Sequence, residues 1–134
     1  MGSPVARSLL LGSALLVACS TSPSLEARAD AFVAAWKHAK YDQGPSIESY
    51  LAEKVTVHYL RAPDEPRMEP QVFARADAAT TLTGTIEGFV IGDRRSCDAR
   101  CCTFDTHFQH GDMLAAVASI CFHDGAVTTV EAIP

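Results

Sequence analysis

With 134 residues, 48% of them hydrophobic and 20% charged, the chain holds enough for one small core, which excludes a two-domain protein and a natively disordered one. Sixteen Asp and Glu against eleven Lys and Arg give a formal charge of −5 without any run of like charge. Nucleic-acid binding, which needs a Lys/Arg-lined face to neutralise phosphates, is excluded on that ground.

The chain opens on an address. Arg7 supplies a positive region, and Leu9 to Val17 follow as nine largely apolar residues broken only by Gly12 and Ser13. Such a stretch is too short to span a bilayer as a helix. The run Leu16-Val17-Ala18-Cys19 resembles the lipobox of bacterial lipoproteins. The resemblance implies cleavage before Cys19, a diacylglycerol thioether on its sulfur and acylation of the new amine. Two or more acyl chains, at roughly 0.8 kcal/mol per buried methylene, make a stable anchor where one is marginal. An ordinary cleaved signal with a chance cysteine is the alternative. Losing residues 1–18, Arg7 among them, moves the formal charge from −5 to −6. Ser20 stands where some bacteria place the Asp that retains lipoproteins on the inner membrane, so the expected location is the cell envelope, at the outer membrane. The expected divisions are a signal peptide (1–18), a lipidated tether (19–24) and one domain (25–134).

In that domain, Ser22-Pro23 reads as an N-cap with proline at the first helical position. Leu25, Ala29, Phe32, Val33, Trp36 and Ala39 then recur at three- and four-residue spacing, an amphipathic helix ending near Tyr41. Gly44-Pro45 breaks it, Ser46 caps a short helix with Ile47, Tyr50 and Leu51, and Val55 to Leu60 is a β-branched, aromatic strand. Arg61 to Pro70, with three prolines, is a loop. A helix is expected from about Pro70 to Leu82, its inner face Val72, Phe73, Ala76, Ala79 and Leu82, with Gly84 as C-cap. The period then changes to two. Thr85 to Arg95, Cys102 to Phe108, Met113 to Phe122 and Ala126 to Ile133 are four strands joined at Cys97 to Arg100, His110-Gly111 and Asp124-Gly125. The expected class is α+β, a cone-like curved antiparallel sheet packed on N-terminal helices.

The order of these elements, with Phe32-Val33-Ala34-Ala35-Trp36 on the first helix, Ser49-Tyr50-Leu51-Ala52-Glu53-Lys54-Val55-Thr56-Val57-His58 entering the first strand and Phe122-His123-Asp124-Gly125-Ala126-Val127 at the last hairpin, resembles the nuclear transport factor 2-like superfamily and its polyketide cyclase-like members. The resemblance implies a cone enclosing a pocket, often in dimers joined sheet to sheet. It also implies that an acid-base enzyme of this kind would place Asp, His or Tyr inside the cone. The candidates are Asp30, His38, Tyr41, His58, Tyr59, Asp105 and His107. Asp30, His38 and Tyr41 fall off the apolar stripe, and Asp105 and His107 alternate against Phe104 and Phe108, so these five are expected to face solvent. His58 and Tyr59 are left as the catalytic candidates, and His110 and His123 fall in turns.

Cys97, Cys101, Cys102 and Cys121 remain after Cys19, an even number in an exported chain, and are read as two disulfides. A vicinal Cys101–Cys102 bond is disfavoured by its strained ring, leaving two pairings. If Phe104 and Phe108 share a face with Leu114, Ala118 and Phe122, Cys101 lies opposite Cys121 and Cys97 closes to Cys102. A tight two-residue turn at His110-Gly111 shifts the register and pairs Cys102 with Cys121 and Cys97 with Cys101. The first keeps the larger apolar residues together. Four thiolates also suit zinc, but structural zinc sites carry paired knuckles and only one cluster exists here. No cofactor and no metal are expected.

Trp36, Tyr59, Phe73, Phe89 and Phe104 are candidates to line a pocket for a small apolar ligand. The reading that follows is a lipid-anchored envelope protein that binds a small ligand or a partner without catalysis. The alternatives are an acid-base lyase or isomerase using His58 or Tyr59, and a structural homodimer, the last if the outer face of Met113 to Phe122 is apolar and covered.

Overall fold

The computed structural model describes residues 22–39, 46–59, 69–85, 89–108 and 116–133. The signal peptide, Cys19, Tyr41, His110 and most of the Pro-rich loop lie outside them, as do the side chains of Tyr59, Phe89 and His107.

Helix α1 (Leu25–Ala39) forms because Ala29, Phe32, Val33 and Trp36 make one apolar stripe, and all four are buried. Its cap is Ser24 rather than Ser22: the Ser24 hydroxyl accepts from the Ala27 N–H at 3.1 Å. A 3-10 turn (Ile47–Tyr50) follows, capped by Ser46, whose hydroxyl accepts from the Glu48 N–H. It leads directly into strand β1 (Leu51–Tyr59).

The expected helix from Pro70 is a strand and then a helix. Strand β2 (Gln71–Ala74) pairs antiparallel with β1, Val55 opposite Phe73, and α2 (Arg75–Thr85) begins only after it. The 3–4 spacing of Val72, Phe73, Ala76, Ala79 and Leu82 fits a helix, but the backbone edge of β1 needs a partner and takes Val72-Phe73, both suited to extended chain. Val72 is accordingly 65% exposed, and the buried face of α2 is Ala78, Ala79 and Leu82. Gly84 lies within α2 instead of terminating it.

Strands β3 (Phe89–Cys97), β4 (Cys101–Phe108), β5 (Ala116–His123) and β6 (Ala126–Ile133) form the expected meander. Strand order is β2-β1-β6-β5-β4-β3, in a curved, unclosed sheet. It is antiparallel except between β1 and β6, which run parallel: β2 occupies one edge of β1, and the last strand of the meander closes the other. The β5–β6 turn places Asp124 at φ 48° and Gly125 at φ 79°, the left-handed pair that a two-residue hairpin requires.

The helices cover one face of the sheet. Phe32, Trp36, Leu82, Val55, Phe104, Ile120, Val127 and Val130 fill the space between, and burial of each large side chain contributes about 1.5–3 kcal/mol. Phe32 stacks on Trp36 at 5.7 Å and meets Tyr50 edge-on at 6.0 Å. The buried Trp36 indole donates to Leu82 O at 2.7 Å, in the last turn of α2, where carbonyls run short of helical partners.

Cys97 is bonded to Cys102 and Cys101 to Cys121. This is the pairing that sets Cys101 opposite Cys121 and Cys97 opposite Cys102 in the ladders. Neighbouring residues on a strand point to opposite faces. Cys102 is therefore fully buried under α1, while Cys101 and Cys121 are half-buried on the outer face. The sheet is stapled on both faces at one end.

Candidate functional site

The candidate site is a cleft of about 700 Å3 between α1 and the edge strand β3. Asp30, Val33, Ala34, Lys37 and His38 line one wall, at the three- and four-residue spacing that keeps them on one side of the helix. Gly92, Asp93 and Arg95 form the other wall, with Phe104 of β4 beneath. Val33 and Phe104 are buried and make an apolar floor, whereas Asp30, Ala34, His38, Asp93 and Arg95 are exposed along the rim.

Strand register explains why a charged residue reaches this place. Arg95 stands opposite Phe104 and Ile91 opposite Thr106, with an irregularity between Ile91 and Arg95. Phe104, Thr106 and Ile91 are all buried, so Arg95 is carried on the inward face. There it meets Asp30. Arg95 Nε donates to Asp30 Oδ1 at 2.7 Å and Nη2 donates to Oδ2 at 2.9 Å, a two-bond fork across the cleft. The hydrogen bond from Arg95 holds the Asp30 carboxyl below its ordinary value, against a smaller opposing effect of burial and with help from the guanidinium charge.

A second pair crosses farther along α1. Lys37 Nζ lies 3.4 Å from Asp93 Oδ1, whose side chain is fully exposed. Such a pair constrains neither partner strongly. The cleft thus has a firm clasp at its Asp30–Arg95 end and a loose one at its Lys37–Asp93 end, seven residues apart on the helix and so about 10 Å. Between them Ala34 leaves room above the floor. Arrangements of this kind hold a small molecule by an apolar body and a few placed polar contacts.

Of the residues proposed to line a pocket, Phe104 reaches the cleft. Trp36 is in the core, and Phe73 packs half-buried on β2, at the opposite edge of the sheet. Asp30 and His38 are exposed, as their place off the apolar stripe implies, yet they rim the cleft. His58 alternates with the buried Val55 and Val57, so it lies on the outer face, beside Glu131 in the register. Asp105 is also outside, 4.0 Å from Arg94. His123 is exposed at the last turn, next to Asp124. The outer face also carries Thr103, Ser119, Thr129 and Glu131, beside the exposed Val72 on β2 and Val90 on β3, so among the described residues it is mostly polar with an exposed valine on each edge strand. The cysteine sulfurs are bonded to one another, which removes them as thiolate ligands. Among the described residues, no three His, Cys, Asp or Glu gather as a metal site.

Sequence reasoning missed Lys37, Gly92, Asp93 and Arg95. The available signal was alternation in β3: Arg95 falls on the face of Ile91 and Cys97, and a charge on an apolar face needs a partner.

No protein-family model and no curated protein sequence matches the chain. Solved structures do match in fold. A nuclear transport factor 2-like protein from Cytophaga hutchinsonii superposes with a TM-score of 0.59 at 14% identity, over 84% of this chain and 91% of that one. A candidate polyketide cyclase from Xanthomonas campestris gives 0.51 at 17% identity, over 83% and 93%. A de novo designed protein with a curved β-sheet gives 0.56 at 13% identity, over 83% and 87%. At such identities the likeness shows the fold alone, which is nuclear transport factor 2-like. A designed chain shares it, so the architecture by itself specifies no activity.

Proposed function

We propose that this chain is a lipid-anchored protein of the cell envelope whose domain binds a small ligand in the α1–β3 cleft without transforming it. The observation that carries the reading is the cleft itself: an apolar floor of Val33 and Phe104 between two ion-paired ends. Its firmest charged groups, Asp30 and Arg95, neutralise each other, which suits binding and orientation better than proton abstraction. The lipobox-like run ending at Cys19 supports the anchor, and two disulfides suit an oxidising compartment.

The test is a small-molecule fragment screen read by amide chemical shifts. Shifts clustered on Ala34, Lys37, His38, Gly92 and Asp93 support the reading; binders that shift only the outer face overturn it. For the anchor, Cys19→Ser should move the protein from the membrane to the soluble fraction, and unchanged sedimentation with membranes would contradict it.

One observation favours the second reading, an acid-base lyase or isomerase, with His38 in place of the expected His58 or Tyr59: His38 brings an imidazole to the cleft rim. On that reading His38→Ala abolishes turnover and spares ligand binding. A structural homodimer formed through the sheet is a further proposal that the mostly polar outer face does not favour, and a sedimentation run showing only monomer across concentrations would remove it.

A further inference from the structure

Four segments distant in sequence meet at one end of the domain. Ser24 caps α1, and Arg28, one turn on, donates from Nε to Pro23 O at 3.2 Å. The Arg28 guanidinium also lies against Gly125, where an added Cβ would collide with it. The chain entering α1 is therefore pinned on the β5–β6 turn. The Phe122 N–H donates to Arg100 O at 2.9 Å, which sets the β3–β4 turn beside that turn. Asp98 closes the β3–β4 turn, its Oδ1 accepting from the N–H groups of Arg100 and Cys101 at 2.8 Å each, and the two disulfides lock it from both faces. The 3-10 turn completes this end, because Leu51 just after it pairs with Val127 just after the last turn. His38, His58, Val90 and Glu131 lie toward the opposite end, by the direction of α1 and the registers of β1, β3 and β6.

We infer that this stapled end faces the bilayer, and that the His38 end of the cleft points away from it. The inference rests on the lipid-anchor reading above. From Cys19 to Ser24 the chain reaches at most about 17 Å when fully extended. Helix α1 then runs its 15 residues, about 22 Å, toward the far end. A tether shorter than the helix it feeds keeps the helix start near the headgroups and leaves the far end exposed to the surroundings. The end is not adhesive by charge: Glu26, Glu48, Asp98 and Asp124 outnumber Arg28, Arg100 and Arg75, the last held to Ala52 O at the start of β1, so anionic headgroups do not attract it. The tether holds it, on a foot too stiffly cross-linked to unravel.

The experiment uses the acylated mature protein in nanodiscs whose lipids carry a nitroxide on the headgroup, read by amide signal intensity. Loss of signal at Ser24, Ala99, Arg100 and Gly125, with His38, Val90 and Glu131 retained, is expected. Equal loss at both ends, or loss at the far end alone, in a protein whose mass shows acyl chains on Cys19 overturns the orientation. A mass without acyl chains overturns the anchor reading, and this inference with it. Binding of the unlipidated domain to anionic vesicles through the far end also overturns it.

Discussion

Replacing Cys101 and Cys121 by Ala removes the staple on the outer face, and the cost follows from the loop that it closes. The two cysteines are 20 residues apart in sequence, and constraining the unfolded chain over such a loop stabilises the fold by about 3 kcal/mol. Both residues are half-buried, so little packing is lost on truncation and the loop term dominates. For a domain of this size about 3 kcal/mol is roughly 10 °C in melting temperature. The companion double variant, Cys97→Ala with Cys102→Ala, opens a separation of only 5 residues, worth about 2 kcal/mol in the same chain-entropy account. Because Cys102 is fully buried, that variant also loses core contacts, on the order of 1 kcal/mol. Guanidinium denaturation of both variants, beside the oxidised parent, reads the two costs directly. A loss below about 1 kcal/mol for the Cys101–Cys121 pair would refute the loop-closure reasoning, and peptide mapping that joins Cys102 to Cys121 would refute the register.

Trp36→Phe removes the donor to Leu82 O and part of the buried ring, and should cost about 2 kcal/mol; faster amide exchange in the last turn of α2 would accompany it, and unchanged exchange would argue against the α1–α2 tie. Gly125→Ala forces a Cβ onto a residue at φ 79° and into the Arg28 guanidinium, so a loss of about 1–2 kcal/mol is expected in thermal melts. Asp30 and Asp98 both have carboxyls held below the ordinary value of 3.8, the first chiefly by the hydrogen bond from Arg95 and the second by backbone N–H groups of Arg100 and Cys101. A depressed folded-state value means that their stabilisation is complete above the unfolded value and is lost as pH falls through the folded one. Melting temperature should therefore drop more steeply below about pH 4 in the parent than in Asp98→Asn, and identical acid slopes would contradict the assignment.

Legibility in the sequence followed locality. The stripe Phe32, Val33, Trp36 announced α1, because a helix buries residues by spacing alone. The meander and its turns were equally plain, since Asp124-Gly125 encodes its own left-handed pair, and the cysteine pairing followed from keeping the large apolar residues of β4 and β5 on one face. Strand β2 was hidden because Val72 and Phe73 fit a helix pattern as well as a strand; only the open edge of β1, some 15 residues earlier, decides between them. The cleft was hidden for the same reason. Asp30 and His38 read as solvated, and they are exposed, but what makes their face a site is Arg95 and Asp93 arriving from an edge strand about 60 residues away.

Native mass spectrometry of the exported protein beside its Ala34→Trp variant tests the cleft most directly. Ala34 is exposed and lines the cleft without supporting the core, so an indole there fills the space above Val33 and Phe104 and leaves the fold intact. A small molecule retained by the parent and lost from the variant, with melting temperatures unchanged, is the predicted result. A molecule retained equally by both would place the binding site elsewhere and contradict the account.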